Sequence, residues 1–407
     1  LCGVGVAFKL AQALYRKYQR SQDEEQALLD LVAIGTIGDV AQLLGENHTL
    51  VRLGLQQLNA TRSPGLRALI RNANLQLGQI RERDISYVLA PRINAAGRMT
   101  EASIAFKLLT TDDELEAYDY AAELEELNQS RQRQTEELMA SVREEAQRHS
   151  NDQVIIVSGE NWPEGIIGLV ASRLAEEIQR TVLVISKGPE SSRGSARSHN
   201  GFNIILALRQ RHDLFERYGG HAQAAGFTIA NDRIEDLREH LLNWHKNQQE
   251  PIVAITEDAE AVAELPAAVI EPEPASPLST RKVDLVITRP QYLDYNTYTK
   301  IRQLAPFGAS NPEPALKMEK LRLVRRWISG ADGRHLRMRF LARVQDARGV
   351  KEVSFTGTLM RGGSQLQSFP EGSLINVIFA LEQAWSPLDS ESKQEIWLKI
   401  LHMEVVS

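Results

Sequence analysis

Five short stretches of this 407-residue chain carry polar residues that no packing pattern demands. In LVAIGTIGDVAQLL, residues 31–44, a single carboxylate, Asp39, interrupts an apolar run beside Gly35 and Gly38. A carboxylate held among apolar groups is costly unless hydrogen-bond donors or a cation compensate it. From the residues alone, a helix-end or turn aspartate with satisfied hydrogen bonds and a metal ligand are both open readings. In PRINAAGR, residues 91–98, Arg92, Asn94 and Arg98 flank small residues that would let a ligand approach the backbone. The same pattern suits surface arginines on a glycine-terminated turn. GSARS, residues 194–198, combines Ser195, Arg197 and Ser198; hydroxyls, backbone N–H groups and a guanidinium fork can hold a phosphate, and a plain serine-rich loop has the same composition. In YGGHAQAAG, residues 218–226, Gly219 and Gly220 expose backbone amides beside His221, an imidazole able to move a proton or bind a metal, or else a structural turn residue.

The fifth stretch, HLRMRF at residues 335–340, alternates basic and apolar residues. On a strand, His335, Arg337 and Arg339 share one face and Leu336, Met338 and Phe340 the other. With Arg322, Arg325, Arg326 and Trp327 across a hairpin, this makes a cationic face with an aromatic nearby, suited to single-stranded nucleic acid or to keeping a sheet edge soluble.

Composition allows such a partner although the net charge is −6. Residues 112–147 hold twelve acids against three bases, and residues 247–282 seven against two. Residues 284–360 reverse the balance, with fourteen bases against seven acids. The acidic total therefore conceals a basic region, the pattern to seek for a polyanion site. Cys2 is the only cysteine, which excludes an intramolecular disulfide and a thiolate metal cluster and fits a reducing, cytoplasmic setting. The first apolar run contains Lys9 and is too short for a membrane span or a signal peptide. It reads as a helix entered midway, with sequence expected upstream. GVGVAF lacks the third glycine of a dinucleotide fingerprint and has no strand before it.

An α/β protein with a terminal β-barrel is expected from the order of elements. Residues 1–111 alternate helical runs and turns. Residues 112–150, free of Pro and Gly, form one helix about 50 Å long, polar nearly all round apart from Leu124, Leu127, Leu138 and Val142, of the kind that bridges domains. Residues 151–246 alternate strands (VIIVSG, TVLVIS) with helices, the first of which starts at Pro163 and Gly165, so an α/β lobe with some parallel pairing follows. SSRGSARS is a loop or short strand, and YGGHAQAAGFTI a turn leading into an apolar segment. Residues 247–282, rich in Pro, Ala and Glu, form a linker. Residues 283–407 read as short strands and turns, a small barrel or sandwich.

Taken in order, GVGVAFKL, GTIGDV, LAPRINAAGR, the long helix, NWPEGIIGLVASRL, GSARS, YGGHAQAAGF and LAPFGASNPEPAL resemble the RecJ family of single-strand-specific exonucleases, within the DHH phosphoesterase superfamily, over nearly the whole chain. The resemblance implies part of a DHH lobe and a DHHA1 lobe joined by the long helix, then an OB-type barrel. It also implies 5′ to 3′ hydrolysis of single-stranded DNA at a two-metal site served by Mn²⁺ or Mg²⁺, in recombination and repair. Asp39 corresponds to a metal-ligating aspartate of that family. Arg197, Gly220 and His221 fall in motifs that hold substrate phosphate and sugar, and Arg92, Asn94 and Arg98 in a motif facing the cleft. Single-stranded DNA is the implied partner, with a single-strand-binding protein and a helicase as further candidates and no membrane. The family's other aspartate motif and its Asp-His-His belong upstream of GVGVAFKL, and no Asp-His-His occurs here. A chain lacking those ligands is expected to be catalytically incomplete by itself, which leaves a non-catalytic single-strand-binding module as a rival reading. A DHH/DHHA1 phosphodiesterase for short oligonucleotides or cyclic dinucleotides is a third, disfavoured by the basic barrel.

Overall fold

Helices fill the first 150 residues of the computed structural model: α1 (Gly3–Lys17), α2 (Gln22–Ala27), α3 (Leu29–Gly38), α4 (Gly45–Asn59), α5 (Pro64–Asn72), α6 (Glu82–Asp84), α7 (Ala90–Met99), α8 (Ser103–Thr110) and α9 (Glu114–Arg148). The described residues are 1–249, 282–330, 333–346, 349–383 and 395–406; nearly all of the linker expected at 247–282 lies outside them. Next come β1 (Val154–Glu160), α10 (Glu164–Ile178), β2 (Thr181–Lys187), β3 (Ser191–Arg197), α11 (Ile204–Gln210), β4 (Phe215–His221), β5 (Ala224–Ala230) and α12 (Ile234–Gln249). The C-terminal part holds β6 (Leu285–Val286), α13 (Tyr295–Ile301), β7 (Leu316–Ser329), β8 (His335–Asp346), β9 (Gly349–Leu359), β10 (Leu374–Gln383) and β11 (Ile396–Val405). The chain forms two compact units, residues 1–61 with 77–87 and 276–407, and residues 62–76 with 88–275.

In the first unit, α1, α3 and α4 bury Phe8, Leu29, Val32 and Leu50 against one another. The barrel pairings run β10–β11–β9–β8–β7 and return from β7 to β10, with β6 alongside β7. Its core includes Leu336, Met338, Phe340, Val377, Phe379 and Leu398, so β8 alternates as its sequence predicts. Glu82 of α6 anchors the start of this region: Arg302 donates to its carboxylate at 2.6 and 3.0 Å and the Phe307 N–H at 3.2 Å.

The second unit is built on the sheet β1-β2-β3-β5-β4. Only β1 and β2 pair in parallel; the other neighbours are antiparallel. SSRGSARS is strand β3, held between β2 and β5, and YGGH ends β4 in a hairpin with β5 rather than forming a simple turn. One sheet face packs on α11 and α12 through Ile204, Leu208, Leu237 and Leu241, the other on α9 and α10 through Val142, Ile166, Val170 and Leu174.

Helix α9 begins at an Asp113 cap that accepts from the Leu115 and Glu116 N–H groups at 2.8 and 2.9 Å. It is not a free-standing polar spacer. It packs on α5, α7 and α8 and then on α10 and β1, and its buried stripe runs through Leu124, Asn128, Arg131, Thr135, Leu138 and Val142. Steps of four and three keep these residues on one face. The middle of that face is polar.

Candidate nucleic-acid interface

The N-terminus of α10 faces an open cleft of about 700 Å³ in the second unit. Its walls include Gly97 and Arg98 from α7, Gly165 and Gly168 from α10, Arg193, Ser195 and Arg197 from β3, and Arg217 and Tyr218 from β4. Of the residues singled out in the sequence, Arg98, Ser195 and Arg197 come together here. Close approach of α7 to α10 requires Gly165, where a Cβ would lie 1.9 Å from the Arg98 carbonyl oxygen. Arg197 is fixed from behind: its Nε donates to Ser172 Oγ at 2.8 Å and its Nη1 to Ser195 Oγ at 3.1 Å and to the Ala196 carbonyl at 2.8 Å. Arg98 Nη1 donates to the Gly165 carbonyl at 3.4 Å.

Burial pushes the Arg98 guanidinium below its ordinary value, and burial followed by the Arg98 charge does the same to Arg197. Two partly desolvated cations at a helix N-terminus have the chemistry suited to an anion, which would offset their repulsion and accept from helical N–H groups. Glu164 also lines the cleft and is held by Arg193 at 2.9 Å.

The other predicted residues of this unit do not line the cleft. Arg92 is partly buried, its Nε donating to Glu125 at 2.6 Å and its Nη1 to the Val88 carbonyl at 2.9 Å. Asn94 is exposed. Ser198 turns its hydroxyl to the Phe202 carbonyl. Gly219 and Gly220 pair with Gly226 and Ala225. Gly220 has φ 144°, and a Cβ there would lie 2.2 Å from the Ala224 carbonyl oxygen. His221 is exposed at the hairpin end, its Nδ1 accepting from the Gln223 N–H at 3.2 Å.

Asp39 caps the C-terminal end of α3 and is exposed. The apolar run before it is buried, so its carboxylate is not the desolvated group that the sequence suggests. That group is Asp30 at the start of the same helix, 5% exposed. It accepts from Thr61 Oγ1 at 2.8 Å and from the Leu31 N–H at 2.7 Å. Sequence reading missed it because Asp30 stands outside the quoted run. A divalent Mn or Mg centre needs about six donor atoms, and Asp39 supplies one carboxylate. Among the described residues, no group of three or more His, Cys, Asp or Glu is arranged to hold a metal ion. These residues do not by themselves fit the implied two-metal centre.

On the barrel, β7 and β8 bring Arg325 opposite Arg339 and Trp327 opposite Arg337. Arg325 lies over the Trp327 ring at 5.8 Å and Arg337 over Trp397 of β11 at 4.4 Å. Trp397 was not singled out in the sequence, since only the barrel pairing brings β11 to this face. Arg322 donates to Glu352 at 2.8 Å. Arg326 is engaged by the Leu366 and Phe369 carbonyls, the latter at 2.7 Å, so its guanidinium secures a loop.

A family model described as the DHHA1 domain matches residues 151–247, and one described as the RecJ OB domain matches residues 283–385. The single-stranded-DNA-specific exonuclease RecJ of Bacillus subtilis is 35% identical over 341 residues, 83% of this chain and 40% of that protein. The Thermus thermophilus protein of the same name is 34% identical over 341 residues, 83% of this chain and 45% of that protein. The crystal structure of RecJ from Thermus thermophilus in complex with Mn²⁺ superposes with a TM-score of 0.74 at 26% identity, covering 98% of this chain and 52% of that one. The chain thus spans about half the length of the relatives it matches. Among the described residues, no helix is long and apolar enough to cross a membrane. With its sheet lobe matched as DHHA1, its barrel as a RecJ OB domain and nearly all of its length superposed on a RecJ crystal structure, the chain belongs to the RecJ family.

Proposed function

We propose that this chain forms part of the DHH lobe, the DHHA1 lobe and the OB barrel of a 5′ to 3′ exonuclease that hydrolyses phosphodiester bonds of single-stranded DNA in recombination and repair in the cytoplasm. The observation that carries the reading is the cleft at the α10 N-terminus, where Arg98, Ser195 and Arg197 converge. Arg197, held in place by Ser172 and Ser195, presents its charge to a substrate phosphate while Arg98 balances it from α7. His221 and the Gly219–Gly220 amides line the strand's path with sugar contacts, and Arg92, Asn94 and Ser198 support the cleft walls. The barrel by itself offers a second single-strand contact, with Arg322, Arg337 and Arg339 against phosphates and Trp327 against bases. Asp39 would supply one ligand of a Mn²⁺ or Mg²⁺ centre completed by residues outside this chain, and such a metal would supply water activation and charge neutralisation. A single-strand-binding protein and a helicase are the expected protein partners.

The test is a chimera in which this chain replaces the matched part of the Bacillus subtilis relative. Degradation of 5′-phosphorylated single strands is expected only with divalent metal. Asp39→Ala should abolish it, and Arg197→Gln should reduce it about a hundredfold, the loss of one charged contact in the transition state. Metal-independent activity, or an unaffected Asp39→Ala protein, overturns the reading. A non-catalytic binding role would appear as strand binding with no cleavage in the chimera.

A further inference from the structure

Arg131 sits in the centre of α9, 9% exposed, where the buried stripe of that helix would otherwise hold an apolar residue. Its Nη2 donates to Asn128 Oδ1 at 2.8 Å. Among the described residues, Arg131 Nε and Asn128 Nδ2 have no hydrogen-bond partner, although both are buried. Asn128 is 1% exposed and Thr135, one turn on, 0%; the Thr135 hydroxyl donates back to the Arg131 carbonyl at 2.6 Å. Two unsatisfied donors and an unpaired cation in one buried patch cost free energy that packing alone does not return.

The surroundings add charge of the same sign. Burial first, and then the charges of Arg173, Arg98 and Arg92, hold the Arg131 guanidinium below its ordinary value. Arg92 has a carboxylate, Glu125 at 2.6 Å. Among the described residues, Arg98, Arg131 and Arg173 have none. Arg98 on α7 lines the cleft, Arg173 belongs to α10, and both helices pack on α9, so the patch lies beside elements that wall the cleft. A region that gathers three unpaired guanidiniums and leaves buried donors open is arranged for an anion.

We propose that Arg131 and Asn128, with Arg98 and Arg173, form a second phosphate subsite, which takes the backbone phosphate next to the one seated at Arg197. The proposal rests on the phosphate reading of the cleft and extends it from one phosphate to two. Two neighbouring phosphates are then shared among Arg197, Arg98 and Arg131. Affinity should depend on the second phosphate more than on the second base.

The probes are thymidine 5′-monophosphate and the 5′-phosphorylated dinucleotide pdTpdT, titrated calorimetrically into the full chain. Wild type is expected to bind pdTpdT at least tenfold more tightly, the scale of one charge-assisted contact pair. Arg131→Gln should remove that preference and leave monophosphate affinity within twofold. Asn128→Asp places a carboxylate against Arg131 in the anion's stead; it should raise the melting temperature and also remove the preference, which keeps the test decisive if Arg131→Gln fails to fold. A preference that survives either folded variant overturns the subsite, as does an equal loss of both ligands in Arg131→Gln. Arg197→Gln separates the two readings: it should weaken both probes. If it weakens neither while Arg131→Gln removes the preference, the seat at Arg197 falls and the subsite on α9 stands. If wild type binds neither probe, both fall.

Discussion

Asp30 and Asp39 stand at opposite ends of α3, and solvent separates their roles. The sequence drew attention to Asp39 through its apolar neighbours, but helix α3 delivers those neighbours to the core and leaves Asp39 in water. Which end of an apolar helix is covered depends on tertiary contacts that no local pattern contains. Burial raises the Asp30 carboxyl above 3.8, more than the hydrogen bonds from Thr61 and Leu31 lower it. Its folded form therefore favours the proton. The stability this contributes is complete below the unfolded value of 3.8 and is lost as pH rises through the raised value. Asp30→Asn keeps Oδ1 for the Leu31 N–H and turns a donor, Nδ2, toward the Thr61 hydroxyl, without the charge. It should stabilise the protein at pH 7 by on the order of 1 kcal/mol, about 2–4 °C in melting temperature, with the advantage vanishing toward pH 4. Thermal melts between pH 4 and 8 check this, and a variant less stable at pH 7 than wild type contradicts it.

At the scale of elements, legibility followed propensity. Strand β8 was readable because its alternation of Leu336, Met338 and Phe340 with charged residues is strong, and α9 was readable as a helix because it lacks Pro and Gly. Strand β3 stayed undecided between loop and strand, and the end of β4 read as a turn, since their serines and glycines carry little strand preference; their neighbours in the sheet supply the pairing. Nor did the sequence mark the three-residue helix α6, whose Glu82 joins two distant segments of one unit. Burial pushes the Glu82 carboxyl up, but the hydrogen bonds and charge of Arg302, with the Phe307 N–H, leave it below its usual 4.5. The sign is opposite to that of Asp30: this contribution is present above 4.5 and is lost as pH falls through the lowered value. Arg302→Met leaves Glu82 buried and unpaired and should cost about 3 kcal/mol at pH 7. Adding Glu82→Gln should restore much of that loss. Urea unfolding of the single and double variants measures the difference, and a fully additive pair contradicts the coupling.

Across the whole molecule, function depends on how charge is distributed and hardly at all on its sum. The acidic total of −6 would argue against a polyanion partner if charge were uniform; the basic excess at 284–360 was legible in the sequence, while the buried Arg131 was hidden inside the most acidic helix. Each cation that neutralises a phosphate releases a counterion, so log K for single-stranded DNA falls with log salt by about 0.7 per contact. Arg337 and Arg339 lie on the exposed side of β8, and removing both to alanine should lower the slope by about one to two units as well as the affinity. Trp327→Ala removes a stacking surface and no charge; it should weaken binding by roughly 1–3 kcal/mol with the slope retained. Fluorescence anisotropy with a labelled oligothymidylate from about 50 to about 300 mM salt separates the two effects. Should the double arginine variant keep the wild-type slope, the strand does not run over this face of the barrel. Should Trp327→Ala change the slope, the aromatic acts by positioning Arg325, whose guanidinium lies over its ring, instead of by stacking on a base.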